Sequence, residues 1–196
     1  MTENSDLWIK CIAKAGNIHA TAISAPRLID EARTRHNLSR IETRILGESM
    51  LAALLVSSTA KADEHLSMSV KGDMFLKQVI VDADPTAGTA RGFIITKELD
   101  RDINTDLGPW QTGTLTMVRT KPNQKEPYVG TVPLITGYMA KDVTFYLTQS
   151  EQIPSAMGLV VNVGEDRAVK SAGGFLVQVM PGATPAEIKS VEDNII

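Results

Sequence analysis

The sequence predicts an α+β fold in a single domain. Three observations lead there. Stretches with the two-residue alternation of β-strands recur along most of the chain. Helical stretches with explicit start signals lie between and after them. No repeat, low-complexity tract or interdomain linker interrupts the chain before Pro181. At 196 residues the chain is long enough for a real core and of a size usual for one domain.

The elements follow in order. From Leu7 to Ser24 the pattern is strand, turn, strand: Trp8, Lys10, Ile12 and Lys14 alternate with Ile9, Cys11, Ala13 and Ala15, and Gly16-Asn17 supplies the turn. Pro26 suits the first turn of a helix running "PRLIDEARTRHN", with Leu28, Ile29 and Ala32 on one side. Ser39 and Glu42 form an S-x-x-E capping box that opens a second helix. Its second half is apolar nearly all round, which predicts burial on every side. Strands are expected at 66–72, 75–83 and 89–95, separated by Gly72-Asp73 and "DPTAG". Residues 97–112 are charged and irregular. Strands return at 113–119 and 127–135, a helix follows from about Tyr138 to Gln149, and strands at 156–163 and 168–179 are joined by "GEDRA". A last helix opens with Thr184 as N-cap, Pro185 at its first position and Glu187 closing a capping box. Ile188, Val191 and Ile195 form its apolar stripe. The stripe has no stop signal after it, as expected of a segment from a longer parent.

Bulk properties exclude several classes. A formal charge of −3 argues against a general nucleic-acid binder. The longest apolar run, Met50 to Val56, is too short to span a membrane. "MTENSD" reads as neither a secretory signal nor a transit peptide. A single cysteine, Cys11, rules out an internal disulfide and points to a reducing compartment, the cytoplasm.

Several stretches invite a chemical reading and fail on context. "GESML" approaches the G-x-S-x-G elbow, but Leu51 replaces the last glycine and Ser49 falls inside a helix, so a serine hydrolase is a weak rival. Asp100, Asp102, Asn104 and Asp106 start like a calcium loop, yet Thr105 stands where glycine is needed and Gln111 where glutamate is. His19, His36 and His65 lack metal-ligand spacing. Cys11 shares a strand face with Ile9 and Ala13 and is expected to be buried and inert. No phosphate-binding glycine loop is present. Gly173-Gly174 inside a strand suggests a bulge or a close backbone approach. No catalytic constellation assembles, and no enzymatic activity is expected.

Ser150, Glu151, Gln152 and Pro154 in "SEQIPSA", with "AGGFLVQVMPGA" at 172–183, resemble the heat-shock protein 33 family of redox-regulated chaperones. "EARTRH", "LGESMLAALL", "VKGD" and "DADPTAGTARGF" fall in the same family order, so the resemblance covers nearly the whole chain. It implies a mixed sheet with a further strand layer and packed helices, with residues 1–182 as the chaperone core and 183–196 as the start of a linker helix. It makes Ser150, Glu151, Gln152, Pro154, Gly173 and Gly174 structural. It also implies an ATP-independent holdase for unfolding proteins that forms a homodimer, with an apolar sheet surface covered by the linker until oxidation. The family's four zinc-binding cysteines are not in this sequence, so zinc is expected only in a full-length parent and no cofactor in this chain. The severed stripe Ile188, Val191 and Ile195 is a candidate dimer interface. A dimerisation module without client binding is the other rival. Eight methionines suit an adaptable surface, though Met68, Met117 and Met180 each read more readily as core filler.

Overall fold

The longest helix decides the architecture. In the computed structural model, which describes residues 5–14, 16–59, 64–73, 76–97, 112–122 and 125–195, helix α2 (Arg40–Ser57), apolar nearly all round in its second half, lies between two sheets. One sheet has the order β1-β2-β9-β8, built from β1 (Leu7–Ile12), β2 (Ile18–Ser24), β8 (Ser155–Val163) and β9 (Val169–Val179). The other has the order β5-β4-β3-β6-β7, from β3 (His65–Gly72), β4 (Leu76–Asp84), β5 (Thr89–Thr96), β6 (Gly113–Thr120) and β7 (Tyr128–Pro133). α2 packs on β3, β4 and β5 on one side and on β2, β8 and β9 on the other. Helix α1 (Pro26–His36) and helix α3 (Met139–Ser150) flank it, and α4 (Pro185–Ile195) ends the described chain. The α+β class with two strand layers is as the sequence predicts. All strand pairs among the described residues are antiparallel, where the resemblance implied a sheet of mixed direction. None of the described helices is long and apolar enough to cross a membrane.

Local chemistry places the helices. At α2 both halves of the capping box form: Ser39 N–H donates to Glu42 Oε2 at 2.9 Å, and Glu42 N–H donates back to Ser39 Oγ at 3.3 Å. Thr96 Oγ1 also donates to Glu42 (2.9 Å), tying the helix start to β5. Gly47 lets α2 approach its neighbours, since a Cβ there would stand 2.8 Å from Ile29 Cγ2 and 3.1 Å from Val161. At α1, Pro26 occupies the first turn and Asp6 accepts from Arg27 N–H and Leu28 N–H (3.1 and 2.9 Å).

The core joins both inner sheet faces through α2. Leu66, Met68 and Val70 of β3, Val79 and Val81 of β4, and Leu115 and Met117 of β6 are all buried in it. Met68 and Met117 face each other across the ladder, so they are core filler and not an adaptable surface. Met180 is half-buried.

Glu48 is an exception on α2. Burial pushes its carboxyl above the ordinary glutamate range, and Arg44, 3.5 Å away, offsets only part of this. With the folded value raised, the native state holds more protons than the unfolded chain between the two values, so stability falls as pH rises through that window. Glu48→Gln is therefore expected to melt higher than the parent at neutral pH and nearly level with it at about pH 3.5, where both chains carry a largely neutral side chain. Thermal unfolding at the two pH values checks this. The same difference at both would contradict it.

Candidate interaction face

Register arithmetic assembles the surface of interest. In the four-stranded sheet, residues on the face turned away from α2 fall into three rows that cross all four strands. The first is Cys11, Ala20, Val177, Ala156; the second Ile9, Ala22, Phe175, Gly158; the third Leu7, Ser24, Gly173, Val160. No charged side chain interrupts them, and Ser24 supplies the only polar one. Leu7, Ile9 and Val160 are 56%, 48% and 55% exposed, too much for core positions. Contiguous exposed apolar surface of this kind marks a place where something else packs.

Glycine shapes the face. A Cβ on Gly158 would stand 2.5 Å from Phe175 Cε1, so the Phe175 ring lies across β8 because residue 158 has no side chain. Gly173 and Gly174 mark close backbone approach: a Cβ would meet Ile23 O at 2.6 Å from the first and Gly158 O at 2.5 Å from the second. The register irregularity in this ladder lies elsewhere, between Asn162 and Val163.

The end of α4 reaches this face. Asn194 and Ile195 line a cleft of about 310 Å³ together with Ile9, Cys11, Ala22, Phe175 and Val177. Ile188 and Val191 are half-buried, and Ile195 is exposed. Thr184 and Glu187 cap the helix reciprocally, as the sequence predicts.

The expectation of a buried Cys11 is corrected: the thiol is exposed. The alternation rightly groups it with Ile9, but periodicity alone does not say which face of an edge strand turns inward. Here it is the face of Trp8. Ser49 is wholly buried, and its hydroxyl donates to Ile45 O at 2.8 Å, so it is a helix side chain out of reach of any substrate. His19, His36 and His65 sit apart on β2, α1 and β3. Among the described residues no three His, Cys, Asp or Glu side chains gather as metal ligands, and one exposed cysteine does not fit a thiolate zinc site. Asp100, Asp102, Asn104 and Asp106 lie outside the described residues.

The "SEQIPSA" stretch lies at the α3–β8 junction. Glu151 N–H and Ile153 N–H both donate to Leu147 O (3.2 and 3.0 Å), Gln152 takes a left-handed φ of 57°, and Pro154 O accepts from Val179 N–H. Ser150 O accepts from Tyr128 OH at 3.2 Å. The Glu151 carboxylate takes two bonds from Arg119, at 3.0 and 2.7 Å, while Arg119 Nη1 reaches Glu64 at 3.0 Å. Arg119 and Glu64 carry no signal in the sequence, being far apart in it, one inside β6 and the other just ahead of β3.

Other surfaces compare poorly. The outer face of the five-stranded sheet mixes Ile80 and Phe93 with Ser67, Ser69, Asp82, Arg91 and Thr116. A cleft of about 910 Å³ at the start of α2 is lined by several charges, of which Glu42 is engaged in its cap, Arg40 on Val163 O and Arg167 on Leu38 O.

Comparison with known proteins now identifies the kinship. A family model described as Hsp33 protein matches residues 6–196. The chain belongs to the Hsp33 family. It is 34% identical to the 33 kDa chaperonin of Enterococcus faecalis, over 97% of this chain and 65% of that protein. It is 32% identical to the 33 kDa chaperonin of Latilactobacillus sakei, over 97% and 67%. The crystal structure of the 33 kDa chaperonin (heat shock protein 33 homolog) of Thermotoga maritima superposes with a TM-score of 0.89 at 28% identity, covering 98% of this chain and 67% of that one. The chain thus spans about two thirds of the length of these Hsp33 relatives.

Proposed function

We propose that this chain is the client-binding core of an ATP-independent holdase, and that the outer face of the four-stranded sheet is where unfolding proteins are held. The observation that carries this is the three uncharged rows crossing β1, β2, β9 and β8. The family's 33 kDa chaperonins support it. An unfolding protein exposes apolar side chains in no fixed order. A flat apolar face without charges accepts them without demanding a particular partner group. Covering one exposed Leu, Ile or Val contributes about 1.5–3 kcal/mol, and the freedom lost on association offsets much of the sum, so holding is reversible. Such binding uses no nucleotide. On this reading the setting is the reducing cytoplasm, and the zinc-dependent redox switch belongs to a longer parent chain.

The test is light scattering from a heat-unfolding client with this chain under reductant and without ATP. Suppressed scattering is expected. Scattering equal to that of the client alone, across an excess of chain, eliminates the holdase reading and favours the plain dimerisation module. A variant ties the activity to the face. Val160→Asp, at an exposed position, should change stability by no more than about 0.5 kcal/mol yet weaken suppression several-fold.

The proposed assembly is a homodimer in which Ile188, Val191 and Ile195 of α4 supply part of the interface. No residue of α4 is fully buried in its own chain, so its stripe, half-covered at Ile188 and Val191, keeps apolar surface that a second copy can cover. Sedimentation should give about twice 21.2 kDa, and deleting 184–196 should weaken the dimer. A monomer at high micromolar concentration contradicts it.

A further inference from the structure

Among the described residues, the edge strand β1 offers unspent main-chain groups beside the apolar face. Ala13 N–H donates to Ile18 O at 2.9 Å, which fixes the phase of the β1–β2 ladder. Antiparallel partners exchange bonds at every second residue. With the register Cys11↔Ala20, Ile9↔Ala22 and Leu7↔Ser24, the odd-numbered residues of β1 spend their N–H and C=O groups on β2. Trp8, Lys10 and Ile12 therefore turn theirs to the open side. The next ladder agrees: Met180 N–H donates to Asn17 O at 2.8 Å, so β2 serves β9 through its odd-numbered residues and β1 through its even ones.

The other sheet edges carry a proline or a ladder irregularity that discourages pairing, whereas β1 carries only a single lysine. β7 ends in Pro133. β8 is irregular at Asn162/Val163, where Arg40 Nη2 takes Val163 O at 3.2 Å. β5 carries Arg91, and the ladder it forms with β4 slips between Leu76 and Gln78. β1 has no proline and no irregularity over Leu7–Ile12, and its one charge, Lys10, lies back over the Trp8 ring at 4.9 Å. Asp6 holds the start of the strand against α1, so the edge is presented by a fixed element.

We propose that this edge seats an extended segment of the client, which adds as a further strand and sets alternate apolar side chains beside Leu7 and Ile9, extending the uncharged rows outward. The inference rests on the holdase reading and names what that face selects. Two features fix the occupant. Open N–H and C=O groups at two-residue spacing match only another extended backbone, and the edge is continuous with the uncharged rows of the face. A folded protein has spent its main-chain groups everywhere but at its surface loops and sheet edges, and it holds those edges in fixed elements. A chain that has lost its structure offers them whatever its sequence, so the edge reads unfoldedness itself.

The experiment uses a fluorescent peptide of about ten alternating Val and Thr residues, and the same peptide N-methylated at every second amide. Binding is followed by anisotropy to the wild-type chain, Lys10→Pro and Lys10→Ala. Proline at 10 removes an outward donor and leaves the β1–β2 ladder whole, a substitution that edge strands tolerate. The parent peptide should bind wild type and Lys10→Ala alike, and Lys10→Pro about tenfold more weakly, the worth of one to two main-chain hydrogen bonds. N-methylation along one edge should weaken binding to wild type at least as much. Where Lys10→Pro does not keep the wild-type circular dichroism, Ile12→Pro makes the same test at the next outward donor. Equal binding of the N-methylated peptide, equal binding by the proline variant, or no binding by wild type overturns the proposal. So does a wild-type dimer that the proline variant turns into a monomer, because the edge then seats a second copy. Aggregation suppression is scored separately. Its persistence in Lys10→Pro at the wild-type level overturns the edge and spares the face, whereas its absence in wild type removes the holdase reading.

Discussion

Asp142→Ala is expected to lose about 3–5 kcal/mol of stability, a large share of what a domain of this size holds in reserve. Asp142 is buried at the start of α3, and its carboxylate gathers the loop that leads in from β7. Oδ1 accepts from Ile135 N–H (3.0 Å), Thr136 N–H (2.9 Å) and Thr136 Oγ1 (3.2 Å), and Oδ2 accepts from Gly137 N–H (2.9 Å). Truncation leaves three main-chain donors without their acceptor, that of Gly137 in a buried position. Hydrogen bonds to a charged group are among the stronger ones, and unmade buried donors cost more than bonds gain. Asp142→Asn keeps one oxygen but turns an amide towards a donor, so an intermediate loss is expected. Urea unfolding midpoints decide it. A truncated variant within about 1 kcal/mol of wild type would show that water replaces the carboxylate.

What could be read ahead of the structure was what neighbouring residues encode. Ser39 with Glu42 and Thr184 with Glu187 announce helix starts because each capping box closes within one turn, and both form. The burial on all sides of the second half of α2 was legible because Met50 to Val56 leaves no polar stripe. The interaction face was not. Its rows join strands from the two ends of the chain, β1 and β2 with β8 and β9, and no periodicity states which strands become neighbours. Cys11 shows the same gap at one residue: alternation groups it with Ile9, but only the sheet order reveals that this side faces outward. Asp142 looked like one more polar residue in a helix, since its value lies in loop donors that periodicity does not register.

Arg119→Ala should cost about 3–5 kcal/mol, because removing one partner of a buried ion cluster leaves the others uncompensated. The guanidinium is 12% exposed and sits between Glu151 and Glu64, whose side chains are 13% and 7% exposed. Burial alone pulls the Arg119 pKa down, but Glu151 and Glu64 outweigh it and hold it above the ordinary arginine value. A folded value raised in this way contributes stability that is present below the ordinary arginine pKa and lost only above it. The cluster therefore adds no pH dependence through Arg119 at working pH. In the variant, Glu64 keeps Lys121 at 3.3 Å while Glu151 has no other ion-pair partner among the described residues. For a chain of this length the loss corresponds to a fall in melting temperature of roughly 10 °C. Arg119→Lys should recover only part, since an ammonium cannot reproduce the fork that gives Glu151 two bonds. Arg119→Met combined with Glu64→Gln and Glu151→Gln should recover more, because the stranded charges go with it. The consequence reaches the interaction face. Arg119 fixes the end of α3 to β6 and the start of β3, and β8 leaves that anchored end at Ser155 to place Ala156, Gly158 and Val160 in their rows. Amide exchange in β8 should therefore quicken in Arg119→Ala more than in β3 and β4. Equal exchange across all of them would mean that the cluster stabilises the fold as a whole and does not hold the face in place.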